Sequence, residues 1–386
     1  MMLGFLLARA GVQVMVVEKH ADFFRDFRGD TIHPSTLELM YELGLLDEFL
    51  REPHQELREM GGVINGHAVR IADFTRLPTR CKFIVFMPQW DFLNFLSRHA
   101  KRFPTFDLRM EHEVTDLLIE GEHVAGVRVK MPRRELDVRA DLVIGADGRS
   151  STVRDRAGFQ VREFGVPIDV LWMRISKRAD DPGQTLGFFR HGKLFVMIDR
   201  GDYWQCGYVI PKGSFDQIRS RGLPAFHEGV VAMAEFLKDR VTELRDWSEI
   251  KLLTVQINHL RKWYREGLLC VGDAAHAMSP AGGVGINFAI QDAVATANLL
   301  WEKLRLGPVS VADLRKVQRR REWPAYLIQL IQAFIHRSVV TGRQTADRTN
   351  LPLFPRLLSS FPVLRRIPAR LIGMGPRPEH VRSPAR

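Results

Sequence analysis

Cysteine is scarce: the 386 residues hold three, Cys81, Cys206 and Cys270, far apart and odd in number. No spacing fits a disulfide framework or a zinc site, so no metal is expected and a reducing cytoplasm is the expected location. No run of about 20 apolar residues exists, which excludes a membrane-crossing helix. The apolar start MMLGFLLARAG has no basic lead and no small-residue cleavage site, so it does not read as a signal peptide. Aromatic and basic residues are not interleaved in an RNA-binding pattern, and nucleic acid is not expected as a partner. Acidic residues are outnumbered, 45 against 56 Lys and Arg. Part of that excess reads as solvated helix face, as in residues 315–321 (RKVQRRR), and the rest suits a ligand that carries phosphates. No repeat is found, and the only biased tract is the Pro/Arg-rich tail.

What remains is an ordinary globular composition, 45% hydrophobic and 26% charged, with length enough for two domains. Residues 3–10 read as a helix ended by Gly11, and residues 12–17 as a β-branched strand closed by Glu18. Helix, glycine, strand and acidic end form the second half of a βαβ nucleotide-binding unit. The first half, a strand with a G-x-G-x-x-G turn, would lie immediately upstream of Met1. The sequence is therefore expected to begin late by roughly 10–15 residues. Helices are expected at 34–46, 91–101, 225–240 and 287–304, and another over 311–337 interrupted at Pro324. Strands are expected within 61–86 and 106–130, at 138–146, at 170–176, 186–189, 193–199 and 203–210, and at 268–271. The tail from residue 352 is expected to be loosely ordered.

Three separated segments carry chemistry. In the first, Glu18 at a strand end can accept hydrogen bonds from ribose hydroxyls. The second is DLVIGADGRSSTVR (141–154), where a strand runs into Asp147-Gly148 and Arg149 and Arg154 supply cationic donors. Asp147 could equally cap the helix that follows. The third is LLCVGDAAHAMSPAGGVGIN (268–287). Here Asp273 follows a strand and Pro280 fixes the chain. Gly282, Gly283 and Gly285 let backbone pass flat against a planar ligand. The helix beginning near Asn287 aims its positive end at that ligand. His276 reads as structural.

Together these segments resemble the class A FAD-dependent monooxygenases, the p-hydroxybenzoate hydroxylase-like and ubiquinone-pathway hydroxylase-like enzymes. The resemblance covers residues 1–304. It implies an α/β fold: a Rossmann-like FAD-binding domain with an inserted antiparallel-sheet substrate domain and C-terminal helices. The implied division is 1–163 and 256–310 for the FAD-binding domain and 164–255 for the substrate domain, to which 61–86 are open to contribute. Residues 311–351 supply C-terminal helices and 352–386 a basic tail.

The resemblance also implies the cofactors, FAD with NADPH or NADH as reductant. Oxygen adds at flavin C4a, and the hydroperoxide hydroxylates a small aromatic or electron-rich substrate. By the same resemblance Glu18 binds the adenosine ribose, Arg28 and Gln89 lie by the phosphates and ribityl chain, and Asp147 and Gly148 sit beside the pyrophosphate. Asp273 binds ribityl hydroxyls; Pro280, Gly282, Gly283, Gly285, Ile286 and Asn287 border the isoalloxazine. No catalytic side chain is singled out. Phe188, Phe189, Trp172, Met197 and Trp204 are candidates for a water-excluding pocket. The missing G-x-G-x-x-G is a departure, and without it the chain is expected to bind FAD poorly or to fold badly. A reductase, halogenase or dehydrogenase of the same fold, or a non-catalytic remnant, are the alternatives. The expected partners are a small-molecule substrate and O2; peripheral membrane contact through the tail and a homodimer stay open.

Overall fold

The computed structural model describes residues 1–24, 31–182, 186–190, 192–345 and 353–385. The first helix, Met2–Arg9, buries Phe5, Leu6 and Leu7 against the long helix Gly285–Leu306 and ends before Gly11. Strand Val14–Val17 follows and pairs in parallel with Phe106–Arg109. A second parallel pair, Val143–Gly145 with Leu268–Cys270, is extended by Tyr264–Arg265. Among the described residues no strand joins these ladders, so the nucleotide-binding sheet stands as two pieces. Helix Gly285–Leu306 packs beside both, through Ile290, Val294 and Ala297 in one core and Leu300 in the other.

The strand expected over 138–146 is two strands. Glu135–Arg139 pairs with His123–Lys130, and Val143–Gly145 joins Leu268–Cys270. The exposed Arg139-Ala140-Asp141 lies between them, where the chain passes from one sheet to the other.

The largest sheet has seven strands, in the order Lys251–Leu253, Ile168–Ser176, Tyr203–Pro211, Lys193–Asp199, Leu186–Arg190, Glu59–Ile64, His67–Asp73. Alternation gives it two faces. Leu171, Met173, Phe195, Met197, Trp204 and Cys206 point to one face and are sealed by helix Leu223–Met233. Val170, Trp172, Leu194 and Val209 point to the other, where Ala333 packs on them.

Ala333 belongs to helix Val311–Thr345, which runs through Pro324 without the expected interruption. An interior proline usually costs about 3 kcal/mol. Here Ala325, Ile328 and Gln329, in the turns just after it, are buried against the body and hold the helix in place. The tail is not loose either. It forms helices Leu353–Ser360 and Arg366–Gly373 and then threads back into the core. Glu379 is buried there, 2.7 Å from Arg320 and 3.4 Å from Arg321, an anchor that the Pro/Arg-rich composition hides. No helix of the described residues is long and apolar enough to cross a membrane.

Candidate functional site

The ends of the two parallel strands Val143–Gly145 and Leu268–Cys270 lie side by side and bring the second and third segments together. Arg149, just past the first strand, donates from Nε to the Asp273 carboxylate (3.0 Å) and from Nη2 to the Met278 carbonyl (3.0 Å). Arg154 donates back to the Arg149 carbonyl (2.8 Å). The remaining guanidinium nitrogens, Nη1 of Arg149 and Nη1 of Arg154, are buried with no hydrogen-bond partner. Buried donors of this kind are rarely left unmet in a working protein. The Asp147 carboxylate accepts from Ser151 Oγ (2.5 Å) and Val153 N (3.1 Å). It thus holds the first turn of helix Thr152–Arg156, the capping role that its sequence context leaves open.

Beyond Asp273 the chain turns through Pro280 and a glycine pair. Gly282 and Gly283 both have left-handed backbone, φ 78° and 62°. At Gly283 the space is also closed, since an added Cβ would stand 2.1 Å from Thr31 Oγ1. Helix Gly285–Leu306 starts immediately after, with Val284 at its N-cap giving no side-chain acceptor. Its first-turn N–H groups are therefore open to a ligand, and a Cβ on Gly285 would lie 3.9 Å from Asp273 Oδ1. The loop, the acid and the helix end thus converge.

Asn287 is buried and fully engaged. Its Oδ1 accepts from His33 N (2.9 Å) and Thr36 Oγ1 (2.8 Å), and its Nδ2 donates to the carbonyls of Thr31 (2.9 Å) and Gly283 (3.1 Å). It fastens the glycine loop to strand Thr31–Ile32, and its amide makes none of its bonds outward. Ile286 packs into the apolar core beside it.

Sequence reasoning misses a second brace, on helix Val311–Thr345. Gln329, Gln332 and His336 share one face. Gln329 donates to the carbonyls of Asn258 (2.7 Å) and Ala277 (2.9 Å). Gln332 accepts from Ser279 N (3.1 Å) and donates to the carbonyls of Ser279 (3.1 Å) and Ala281 (3.0 Å). His336 Nε2 hydrogen-bonds Ser279 Oγ (2.7 Å), and burial lowers its pKa to about 4. The loop either side of Pro280 is therefore gripped at five polar atoms, from the Ala277 carbonyl to that of Ala281. Below it, buried Asp292 accepts from His276 Nε2 (2.5 Å), Gly272 N (3.0 Å) and Arg321 Nε (3.0 Å). Burial alone would push this carboxyl up; the His276 and Arg321 contacts outweigh it and hold it below its ordinary value. His276 is thus structural, as the sequence suggests.

The other expected residues are spread more widely. Glu18 follows strand Val14–Val17 in the separate two-stranded piece, and its carboxylate accepts from His20 N (3.1 Å). Gln89 opens helix Gln89–Ala100, and Gly148 turns at φ 86° beside Arg149. Arg28 lies outside the described residues. Of the pocket candidates, Met197 and Trp204 are buried beneath helix Leu223–Met233, with Phe188 packed against them. Trp172 projects from the opposite face, flat over Gly207, where a Cβ would stand 3.1 Å from the indole. Phe189, next to Phe188 on an extended strand, shares that opposite face.

The donor set fits a phosphate-bearing dinucleotide with a planar ring. Two unmet guanidinium nitrogens offer charge-assisted hydrogen bonds, an acid stands beside a glycine loop, and an uncapped helix end points at both.

Known proteins match this arrangement. The family described as FAD binding domain matches residues 1–321. The 6-methylpretetramide 4-monooxygenase of Streptomyces rimosus is 33% identical, over 99% of this chain and 91% of its own length. The 2,4-dichlorophenol 6-monooxygenase of Delftia acidovorans is 26% identical over 92% of this chain, which spans 61% of that protein. Among solved structures, p-nitrophenol 4-monooxygenase PnpA from Pseudomonas putida DLL-E4 shares the fold with a TM-score of 0.77 at 20% identity, covering 97% of this chain and 95% of its own. The OxyS anhydrotetracycline hydroxylase from Streptomyces rimosus also gives 0.77, at 23% identity, covering 96% and 73%. The chain belongs to the FAD binding domain family, and within it to the FAD-dependent monooxygenases of the class A type.

Proposed function

We propose that this monooxygenase hydroxylates a multi-ring phenolic substrate with NADPH or NADH as the electron source. The observation that carries the reading is the meeting of Arg149, Asp273 and the glycine loop at one helix end. The full-length similarity to an enzyme named for 6-methylpretetramide supports the substrate class. When bound, a flavin would supply the redox chemistry, electron acceptance and oxygen activation, that the side chains themselves lack.

The chain's own residues bind, orient and shield. Asp273 accepts from ribityl hydroxyls, and the free nitrogens of Arg149 and Arg154 meet phosphate. In this reading Glu18 takes the adenosine ribose, Gln89 the phosphate and ribityl side, and Gly148 the pyrophosphate. The backbone of Gly282 and Gly283, with Pro280, borders the ring. The positive end of helix Gly285–Leu306 stabilises negative charge on the reduced ring. Trp172 and Phe189, on the sheet face that meets helix Val311–Thr345, form an aromatic wall for the substrate and exclude water. The substrate domain in this reading is residues 164–255 together with the hairpin Glu59–Asp73.

The test is a panel of one-ring and multi-ring phenols offered to FAD-reconstituted protein, with NADPH consumption, oxygen uptake and product mass recorded. Multi-ring phenols should raise consumption and return a product heavier by one oxygen atom. Consumption indifferent to every phenol, with peroxide as the only product, overturns the assignment. A halogenated product formed when bromide is added would move the site to halogenation.

A further inference from the structure

The helix Arg366–Gly373 and the turn Pro362–Arg365 before it present an unusual surface. Phe361, Val363, Leu364 and Ile367 stand out into solvent, at 58%, 62%, 37% and 67% exposure. Leu357, on the preceding helix, is exposed beside them in sequence. Single exposed apolar residues are commonplace, but five large ones within eleven positions are not.

These side chains cannot turn inward. The other face of the helix is already committed: Ala369 is buried, and a Cβ on Gly373 would lie 3.0 Å from Leu77 and 3.4 Å from Pro34. Arg365 locks the turn by donating to the carbonyl of Leu358 (2.9 Å). Ile372, in the last turn, hydrogen-bonds through its carbonyl to His33 Nδ1 (2.8 Å), and His33 N binds Asn287 beside the glycine loop. The apolar set is held rigidly, outward, on an element fastened to the flavin-site loop.

Charge decides what the surface fits. Arg356, Arg366 and Arg370 are exposed among the apolar residues, and none forms an ion pair among the described residues. The sequence contains no Asp or Glu from residue 348 to residue 378. A two-fold contact pairing this segment with itself would set arginines against arginines, with no carboxylate of its own to offset them. Nucleic acid would satisfy the arginines and leave the phenyl and aliphatic groups against phosphate. An anionic bilayer satisfies both: arginines reach the headgroup phosphates while Phe361, Val363 and Ile367 enter the acyl boundary. We propose that this face seats the enzyme peripherally on an anionic lipid surface.

The experiment is co-sedimentation of the flavin-loaded full chain with two kinds of vesicle, pure phosphatidylcholine and phosphatidylcholine carrying roughly a third phosphatidylglycerol. Binding should favour the anionic vesicles by about tenfold or more and weaken as salt rises. The pair Phe361→Ser with Ile367→Ser should cut anionic binding by about tenfold even at low salt. The pair Arg366→Glu with Arg370→Glu should abolish the preference for phosphatidylglycerol. Leu306→Ser, at the equally bare end of another helix, should change nothing; Leu306 is 86% exposed. Melting temperature confirms that each variant is folded. Equal partition of the unaltered protein into both vesicles, or binding that survives both double substitutions, overturns the proposal. So does a dimer in solution that Phe361→Ser and Ile367→Ser dissolve while no vesicle is bound, for then the face meets a second copy.

Discussion

Arg149 Nε lies 3.0 Å from the Asp273 carboxylate, joining residues 124 positions apart at the mouth of two parallel strands. The two side chains keep 28% and 29% of their surface exposed, so water still screens the pair and its direct worth to the fold is modest. Its consequence is for the ligand, since it fixes a guanidinium with one nitrogen still unmet.

Arg149→Met should therefore weaken FAD binding by about ten- to hundredfold, the worth of one or two charge-assisted hydrogen bonds. Arg149→Lys should fall between, keeping charge without the forked geometry. Fluorescence titration of FAD into apoprotein reads this directly, and an unchanged dissociation constant for Arg149→Met would remove the residue from the site.

The two loop glycines should respond differently to alanine. At Gly283 a Cβ would collide with Thr31 Oγ1, and the backbone is left-handed as well. Gly283→Ala should cost about 2–4 kcal/mol, strain and overpacking combined. At Gly282 the first atom met is Val284 Cγ1 at 3.7 Å, so only the backbone penalty of about 1 kcal/mol applies. Urea melts of the two variants should differ clearly; equal losses would contradict the closed space at Gly283.

Acid should loosen the protein before its carboxylates titrate. Burial lowers the pKa values of both His33 and His336 to about 4 from the ordinary 6.5. Each stays neutral in the fold while its unfolded counterpart takes a proton. The stability they allow is complete above pH 6.5 and declines as pH falls toward 4, by on the order of 3 kcal/mol for each. His336→Gln should flatten that decline between pH 7 and pH 4.5 in denaturant melts. An unaltered slope would show that His336 does not titrate as its burial requires.

Asp292 and Arg321 form a buried pair 3.0 Å apart. Asp292→Asn should destabilise by about 3–5 kcal/mol, because it leaves Arg321 buried with weaker compensation. Arg321→Met should cost a similar amount, and the double variant much less than the sum. Additive losses in that cycle would mean the two side chains act independently.

Much of this could be read from the residues. The β-branched run 12–17 led to strand Val14–Val17 and the short apolar run 268–271 to Leu268–Cys270, and the Asp273 to Gly285 segment marked the candidate site because glycine pairs and a strand-end acid have few other uses. Trp172 and Trp204 read alike as pocket candidates, because periodicity does not say which face a helix will cover; the structure puts Met197 and Trp204 on the sealed side and Trp172 on the other. Gln329, Gln332 and His336 have the composition of a solvated face; they point inward because loop carbonyls, which no pattern displays, await them. Asn287 reads as ligand-facing by position, whereas its side chain is consumed by nearby Gly283 and by Thr31, His33 and Thr36, which lie some 250 residues away. Pro324 reads as a helix breaker, and tertiary packing overrules it.

Helix Met2–Arg9 rests on helix Gly285–Leu306, and Arg9 donates to the carbonyl of Ser383, 374 positions later. A ribosome adding about 5–20 residues per second would take roughly a quarter-minute to a minute to deliver that partner helix. Until then Phe5 can rest on Phe103 and the helix on Gln89–Ala100, while its side toward Gly285–Leu306 stays uncovered. Helix Met2–Arg9 therefore completes its burial only once Gly285–Leu306 has been made, long after its nearer partners.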